Sequence, residues 1–173
     1  MRLATLVDPH GDPHVGAILS GGRILDLTAA APADPAFASM LAFIGASPAG
    51  IPKAELLVKR AEQAAAEIGD HVRPLADVRL LAPIPRPAKN VFCVGLNYRS
   101  HIEANARALG IRAEVGEVPV FFTKPPTAVI GPDEAIVLDG RLTSKLDYEV
   151  ELGIVIGSGG SWIAENDALK HVF

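Results

Sequence analysis

The sequence predicts an α+β fold, predominantly β, on three observations. Short alternating or wholly apolar segments, bounded by Gly, Pro and Asp turns, recur along most of the chain. Apolar residues recur at helical spacing within residues 34–69, and capping residues bound a shorter helix at 101–109. Between the early and late segments lies a proline-rich stretch that no helix can cross, with Pro74, Pro83, Pro85 and Pro87.

Taken in order, Leu3 to Val7, Val15 to Leu19 and Arg23 to Leu27 read as strands of a small meander, separated by Asp8-Pro9-His10-Gly11-Asp12-Pro13 and by Ser20-Gly21-Gly22. His10 and His14 flank the first turn and read as solvated turn residues. Phe37, Met40, Leu41 and Ile44 predict a helix capped by Asp34 and ended by Gly45. Leu56, Leu57, Ala61, Ala64, Ala65 and Ile68 predict a second, with Pro52 in its first turn and Gly69 at its end. Residues 71–90 read as a stiff connector, which divides the chain into an N-terminal α+β module with linker (1–82) and a second domain (83–173).

Beyond the connector, Val91-Phe92-Cys93-Val94 reads as a buried strand. Ser100 is placed to cap a helix over His101 to Leu109, closed by Gly110. His101 then lies in the first turn of that helix, where a neutral imidazole suits a general base, although by itself plain packing in the cap is the better reading. A strand over 118–124 buries Val120 and Phe122 and brings Lys124 out at its end, before Pro125-Pro126. Ile136-Val137-Leu138 reads as a short strand and Glu165 to His171 as the start of a helix.

The stretch Leu146 to Gly157 reads as a strand with Asp147, Glu149 and Glu151 on one face and Tyr148, Val150 and Leu152 on the other. Same-face neighbours lie roughly 7 Å apart, close enough for two carboxylates to share one small cation. On spacing alone a solvated sheet face is the better reading of the pattern.

Composition excludes several classes. Across 173 residues the net charge is −4, with both signs interspersed, so no basic patch attracts nucleic acid or an anionic membrane. No apolar run reaches membrane-spanning length and no signal-peptide core opens the chain, which makes cytoplasmic the expected location. The single cysteine, Cys93, has no internal partner and reads as a small core side chain rather than a nucleophile.

Three blocks in order, Val94-Gly95-Leu96-Asn97-Tyr98-Arg99-Ser100-His101, Phe122-Thr123-Lys124-Pro125 and Leu146-Asp147-Tyr148-Glu149-Val150-Glu151-Leu152, resemble the fumarylacetoacetate hydrolase family over about Leu80 to Phe173. The resemblance implies a rolled mixed β-sandwich, incomplete in this chain, and a homodimer. It also implies a divalent cation, Mg²⁺ or Mn²⁺ with Ca²⁺ as an alternative, held by Glu149 and Glu151 and by an aspartate on a later strand. His101 is then the water-activating base, and Tyr98 and Lys124 line the pocket of a small β-diketo or 2-oxo acid. The implied reaction is hydrolysis of a C–C bond through an enolate. Isomerisation, decarboxylation, hydration and lyase chemistry of the same family are alternatives, as is a non-catalytic fragment or degenerate member. The family's H-x-x-E pattern has Ala104 at its glutamate position; Glu103, one residue earlier, substitutes only where the backbone departs from regular helix. The third ligand is expected after Phe173, so the chain is expected to be truncated there.

Overall fold

The computed structural model describes all residues except 64–65, 113–115 and 117, with the backbone alone at 66–67. It forms two compact units, residues 1–85 with 130–173, and residues 86–129.

In the first unit the expected meander is present. Strands β1 (Arg2–Val7), β2 (Pro13–Ile18) and β3 (Arg23–Asp26) pair antiparallel, with Arg2 opposite Ile18 and Gly16 opposite Asp26. The first turn closes because the Asp8 carboxylate accepts the backbone N–H of His10 (2.9 Å) and of Asp12 (2.7 Å), with Gly11 at φ 99°. Helix α1 (Leu27–Ala30) starts where Asp26 accepts the Ala29 N–H at 2.9 Å.

The single helix expected from Asp34 to Gly45 is two pieces. Asp34 caps a 3₁₀ turn over Pro35–Phe37, and then Ser39, fully extended at φ −164°, starts α2 (Met40–Gly45) by accepting the Ala42 N–H at 3.1 Å. A second good capping side chain five residues after the first explains the division. Helices α3 (Gly50–Glu62) and α4 (Ala66–Gly69) follow, with Pro52 in the first turn of α3; Ala64 and Ala65 of the expected stripe lie outside the described residues.

The connector is less idle than expected. Strands β4 (Val72–Pro74) and β5 (Leu80–Leu81) join opposite edges of the meander, giving the antiparallel order β4-β3-β2-β1-β5. Prolines confine these strands to two or three residues and to the edges, where a missing N–H costs little. The sheet buries both faces. Val15, Ala17, Leu25, Leu27, Phe37, Phe43, Ile44 and Ala54 make the larger core with the helices, and Leu6, Ile24 and Val78 the smaller one opposite.

The later half of this unit departs from expectation. Residues 136–138 and 146–153 form no strand ladder among the described residues, and Tyr148, Val150 and Leu152 are 86%, 92% and 78% exposed. Period-two alternation decides which face a side chain would take; it does not supply the neighbour whose N–H and C=O groups complete a strand. Order returns at an antiparallel bridge between Ile156 and Val172, around a 3₁₀ segment over Glu165–His171.

The second unit holds β6 (Val91–Gly95), α5 (Arg99–Leu109) and β7 (Val120–Lys124), the strands pairing antiparallel from Val91 opposite Lys124 to Gly95 opposite Val120. Both strands fall where expected, but neither is buried. Phe92 and Phe121 on one face are 70% and 62% exposed, and Val120 and Phe122 on the other are 57% and 46% exposed. An apolar strand is buried only when something lies on it, and two strands are too few to cover each other. Cys93 is half-buried.

Candidate functional site

The turn from β6 into α5 carries the densest group of expected site residues. Leu96 has φ 54°, in the left-handed region a branched side chain avoids, at a cost of roughly 1–3 kcal/mol. That kink re-aims the chain, and Tyr98, not Ser100, becomes the N-cap. Its carbonyl accepts the N–H of His101 (3.0 Å) and of Ile102 (3.1 Å), with no side-chain cap. Gly110, at φ 66°, closes the helix as expected.

Because α5 is helical over Arg99–Leu109, residues four apart share a stripe. Ile102 and Ala106 are its buried residues. The next stripe, His101 and Asn105, is exposed, and Asn105 Nδ2 lies 2.9 Å from His101 Nε2. Glu103, two positions from His101, is turned about 200° around the axis and cannot face it while the helix is regular. The family pattern points to a carboxylate three residues after His101 and not to Asn105, whose i+4 spacing on a helix closed by Gly110 is the signal the sequence offers.

Lys124 ends β7 opposite Val91. The chain leaves β6 toward Tyr98 from Gly95, four strand positions or about 13 Å away along the ladder. The unit therefore sets Tyr98, His101 and Asn105 along the first two turns of α5 and Lys124 at the other end of its strands. All four are exposed.

Glu149 and Glu151 lie in the other unit, on the exposed stretch 146–153. Their oxygens are the hard donors that Mg²⁺ or Mn²⁺ prefers, so the donor type fits such an ion. The donor count is partial: among the described residues no three His, Cys, Asp or Glu side chains come together as a metal-binding group. These two residues fit as a portion of a coordination shell.

A further titratable cluster went unread. His14, expected in solvent, lies in β2 with Nδ1 2.8 Å from Asp26 Oδ2 and Nε2 3.7 Å from Asp8 Oδ2, and all three side chains are largely buried. Partial desolvation works to raise the Asp8 pKa, but the N–H groups of Asp12 and His10 and the nearby imidazoles hold it below the ordinary carboxylate range. The signal was the hairpin register: a turn at Ser20–Gly22 sets residue 16 opposite 26, making 14 and 26 diagonal neighbours on one face. Tying the meander together is work enough for this cluster.

Residues 90–173 match the family described as Fumarylacetoacetate (FAA) hydrolase C-terminal. The chain belongs to the fumarylacetoacetate hydrolase family. It is 36% identical over 163 residues to Oxaloacetate tautomerase YisK of Bacillus subtilis (strain 168), a match covering 92% of this chain and 53% of that protein. It is 35% identical over 174 residues to mitochondrial Oxaloacetate tautomerase FAHD2A of Bos taurus, covering 99% and 50%. Among solved structures, a fumarylacetoacetate hydrolase from psychrophilic Exiguobacterium antarcticum superposes with TM-score 0.65 at 31% identity, covering 100% of this chain and 53% of that one. The maleylpyruvate hydrolase from Sphingobium sp. SYK-6, in complex with manganese (II) ion and pyruvate, superposes with TM-score 0.61 at 28% identity, covering 100% and 55%. The chain spans about half the length of the curated relatives it matches. Its architecture is the α+β fold of this family in incomplete form.

Proposed function

We propose that this chain is part of an enzyme that interconverts the keto and enol forms of oxaloacetate, or of a closely similar 2-oxo acid, with the help of Mg²⁺ or Mn²⁺. The observation that carries the reading is the match to oxaloacetate tautomerases over 92% and 99% of the chain, the N-terminal module included. Fold alone would not select a reaction.

In this reading Glu149 and Glu151 hold the cation, which when bound steadies the negative charge developing on the substrate's 2-oxo oxygen. His101 carries the proton between the substrate's C3 and that oxygen, which needs one base and no water. Asn105 orients the imidazole, the part expected of Glu103. Tyr98 offers a hydroxyl and Lys124 an ammonium to the substrate's carboxylates. Hydrolysis of a C–C bond, the reaction expected from the sequence, is the second reading, favoured by the likeness to a maleylpyruvate hydrolase holding manganese and pyruvate. There His101 takes its proton from water.

The division at 82/83 into module and catalytic domain, a homodimeric assembly and a cytoplasmic location belong to the same proposal. Among the described residues no helix is long and apolar enough to cross a membrane.

The test follows the ultraviolet absorbance of enol-oxaloacetate with purified full-length enzyme, with and without EDTA, and runs acylpyruvates in parallel. Metal-dependent acceleration of enol decay supports tautomerisation. Acylpyruvate cleavage without it moves the assignment to hydrolysis, and neither activity with Mg²⁺ or Mn²⁺ restored ends both readings.

A further inference from the structure

We propose that Phe43 and Phe173 are positioning residues through which the N-terminal module holds the arm carrying Glu149 and Glu151; this rests on those two glutamates being the cation ligands. Of the stretch 130–173, the large core admits Val155 and Phe173. Phe43, on α2 and fully buried, meets the Phe173 ring edge-on, with centroids 5.8 Å apart and planes at 89°. Phe173 N–H donates to the Val155 carbonyl and Gly157 N–H to that of His171, both at 2.9 Å, on either side of the Ile156–Val172 bridge. Two strands of chain thus end on one aromatic contact.

Gly157 shows how tight the closure is. A Cβ there would stand 3.1 Å from Phe173 Cβ and 3.3 Å from Phe173 Cα, atoms that cannot swing aside as a side-chain tip can. Upstream, Leu146, Tyr148, Val150 and Leu152 are all more than half exposed and contribute nothing to either core. Val155 is therefore the first residue after the glutamates that the core grips. It stands four positions after Glu151, so the tether keeps Glu151 within about 14 Å of the core's edge. Confining the arm beforehand lowers the entropy that ion binding must remove. The module acts on the ion through the arm, without touching it.

The experiment compares full-length wild type with Phe173→Ala, Phe173→Leu and Gly157→Ala, reading the Mn²⁺ Kd by calorimetry and amide hydrogen exchange across residues 149–157. Gly16→Ala, which crowds the opposite face of the sheet, is the control for stability loss alone. The expected result is faster exchange and an Mn²⁺ Kd raised about tenfold in Phe173→Ala and Gly157→Ala, the size typical for removing an outer support of a metal ligand. Partial rescue is expected in Phe173→Leu and no change of Kd in Gly16→Ala. Unchanged Kd and exchange in folded Phe173→Ala and Gly157→Ala overturn the inference, as does an equal rise of Kd in the control. Wild type that binds no Mn²⁺ overturns instead the assignment of Glu149 and Glu151, while the exchange measurement still judges the tether.

Discussion

Asn105 Nδ2 stands 2.9 Å from His101 Nε2, one helical turn along α5. With the amide donating, Nε2 accepts and Nδ1 carries the proton; with the amide turned over, Oδ1 accepts from Nε2–H and Nδ1 is the free base. Either way Asn105 sets which ring nitrogen can take a proton. Asn105→Ala is expected to lower kcat about tenfold with little change in KM, because orientation of the base matters to the reacting step more than to substrate capture. Steady-state kinetics of the full-length enzyme checks this. A rise in KM alone would assign Asn105 to substrate binding.

Glu149 and Glu151 lie outside both cores, so replacing them tests ion binding with little interference from folding. In the full-length enzyme the double variant Glu149→Gln, Glu151→Gln is expected to lose more than about 100-fold in Mn²⁺ affinity, beyond the loss of an outer support. Activity falls with it, and the melting temperature of the metal-free protein stays near wild type. Calorimetry and thermal unfolding give the two numbers, and undiminished Mn²⁺ uptake removes the glutamates from the site.

What the sequence made legible was local. The β1–β3 meander could be read because Asp8, Gly11 and Gly21-Gly22 carry their turn chemistry within a few residues, and α5 because Gly110 ends it. Family membership was legible through three short blocks, whose order is a property of the chain and not of its packing. The strands expected at 136–138 and 146–153 are absent among the described residues because a strand is completed by a partner remote in sequence, which alternation does not encode. The helix over 34–45 divides at Ser39 because that residue's extended backbone makes it a second cap, which the apolar spacing does not encode. Burial of β6 and β7 was inferred from their own composition, although burial belongs to whatever covers a strand.

Gly16 shows the smaller core at close quarters. A Cβ there would meet Leu6 Cδ2 at 2.5 Å and Ile24 Cδ1 at 2.8 Å, and both side chains are almost wholly buried. Gly16→Ala must push them into neighbours already packed, and a loss of about 1–3 kcal/mol is expected, as for other small-to-large core changes. Thermal and denaturant unfolding measure it. A neutral result would show that this face of the sheet has room to yield.

Glu62, at the end of α3, ties that helix to the β2–β3 turn. Its carboxylate accepts the Ser20 N–H and the Ser20 hydroxyl, each at 2.7 Å, and meets Arg23 Nη2 at 2.6 Å. The Ser20 N–H, then its hydroxyl, hold the Glu62 pKa below the ordinary glutamate value; slight desolvation opposes them and Arg23 adds to them. A carboxyl more acidic folded than unfolded contributes stability above its unfolded pKa and loses it as pH falls through the folded one. Glu62→Gln is therefore expected to melt below wild type at neutral pH, and the gap should narrow as pH drops below about 4. Salt separates the causes: it should shrink the share owed to Arg23, an exposed pair, and leave the share owed to the Ser20 backbone. Melting curves of both proteins from pH 7 to pH 3, at low and high salt, test the sign. A gap that widened toward acid would mean the carboxylate is a burden to the folded chain rather than a clasp.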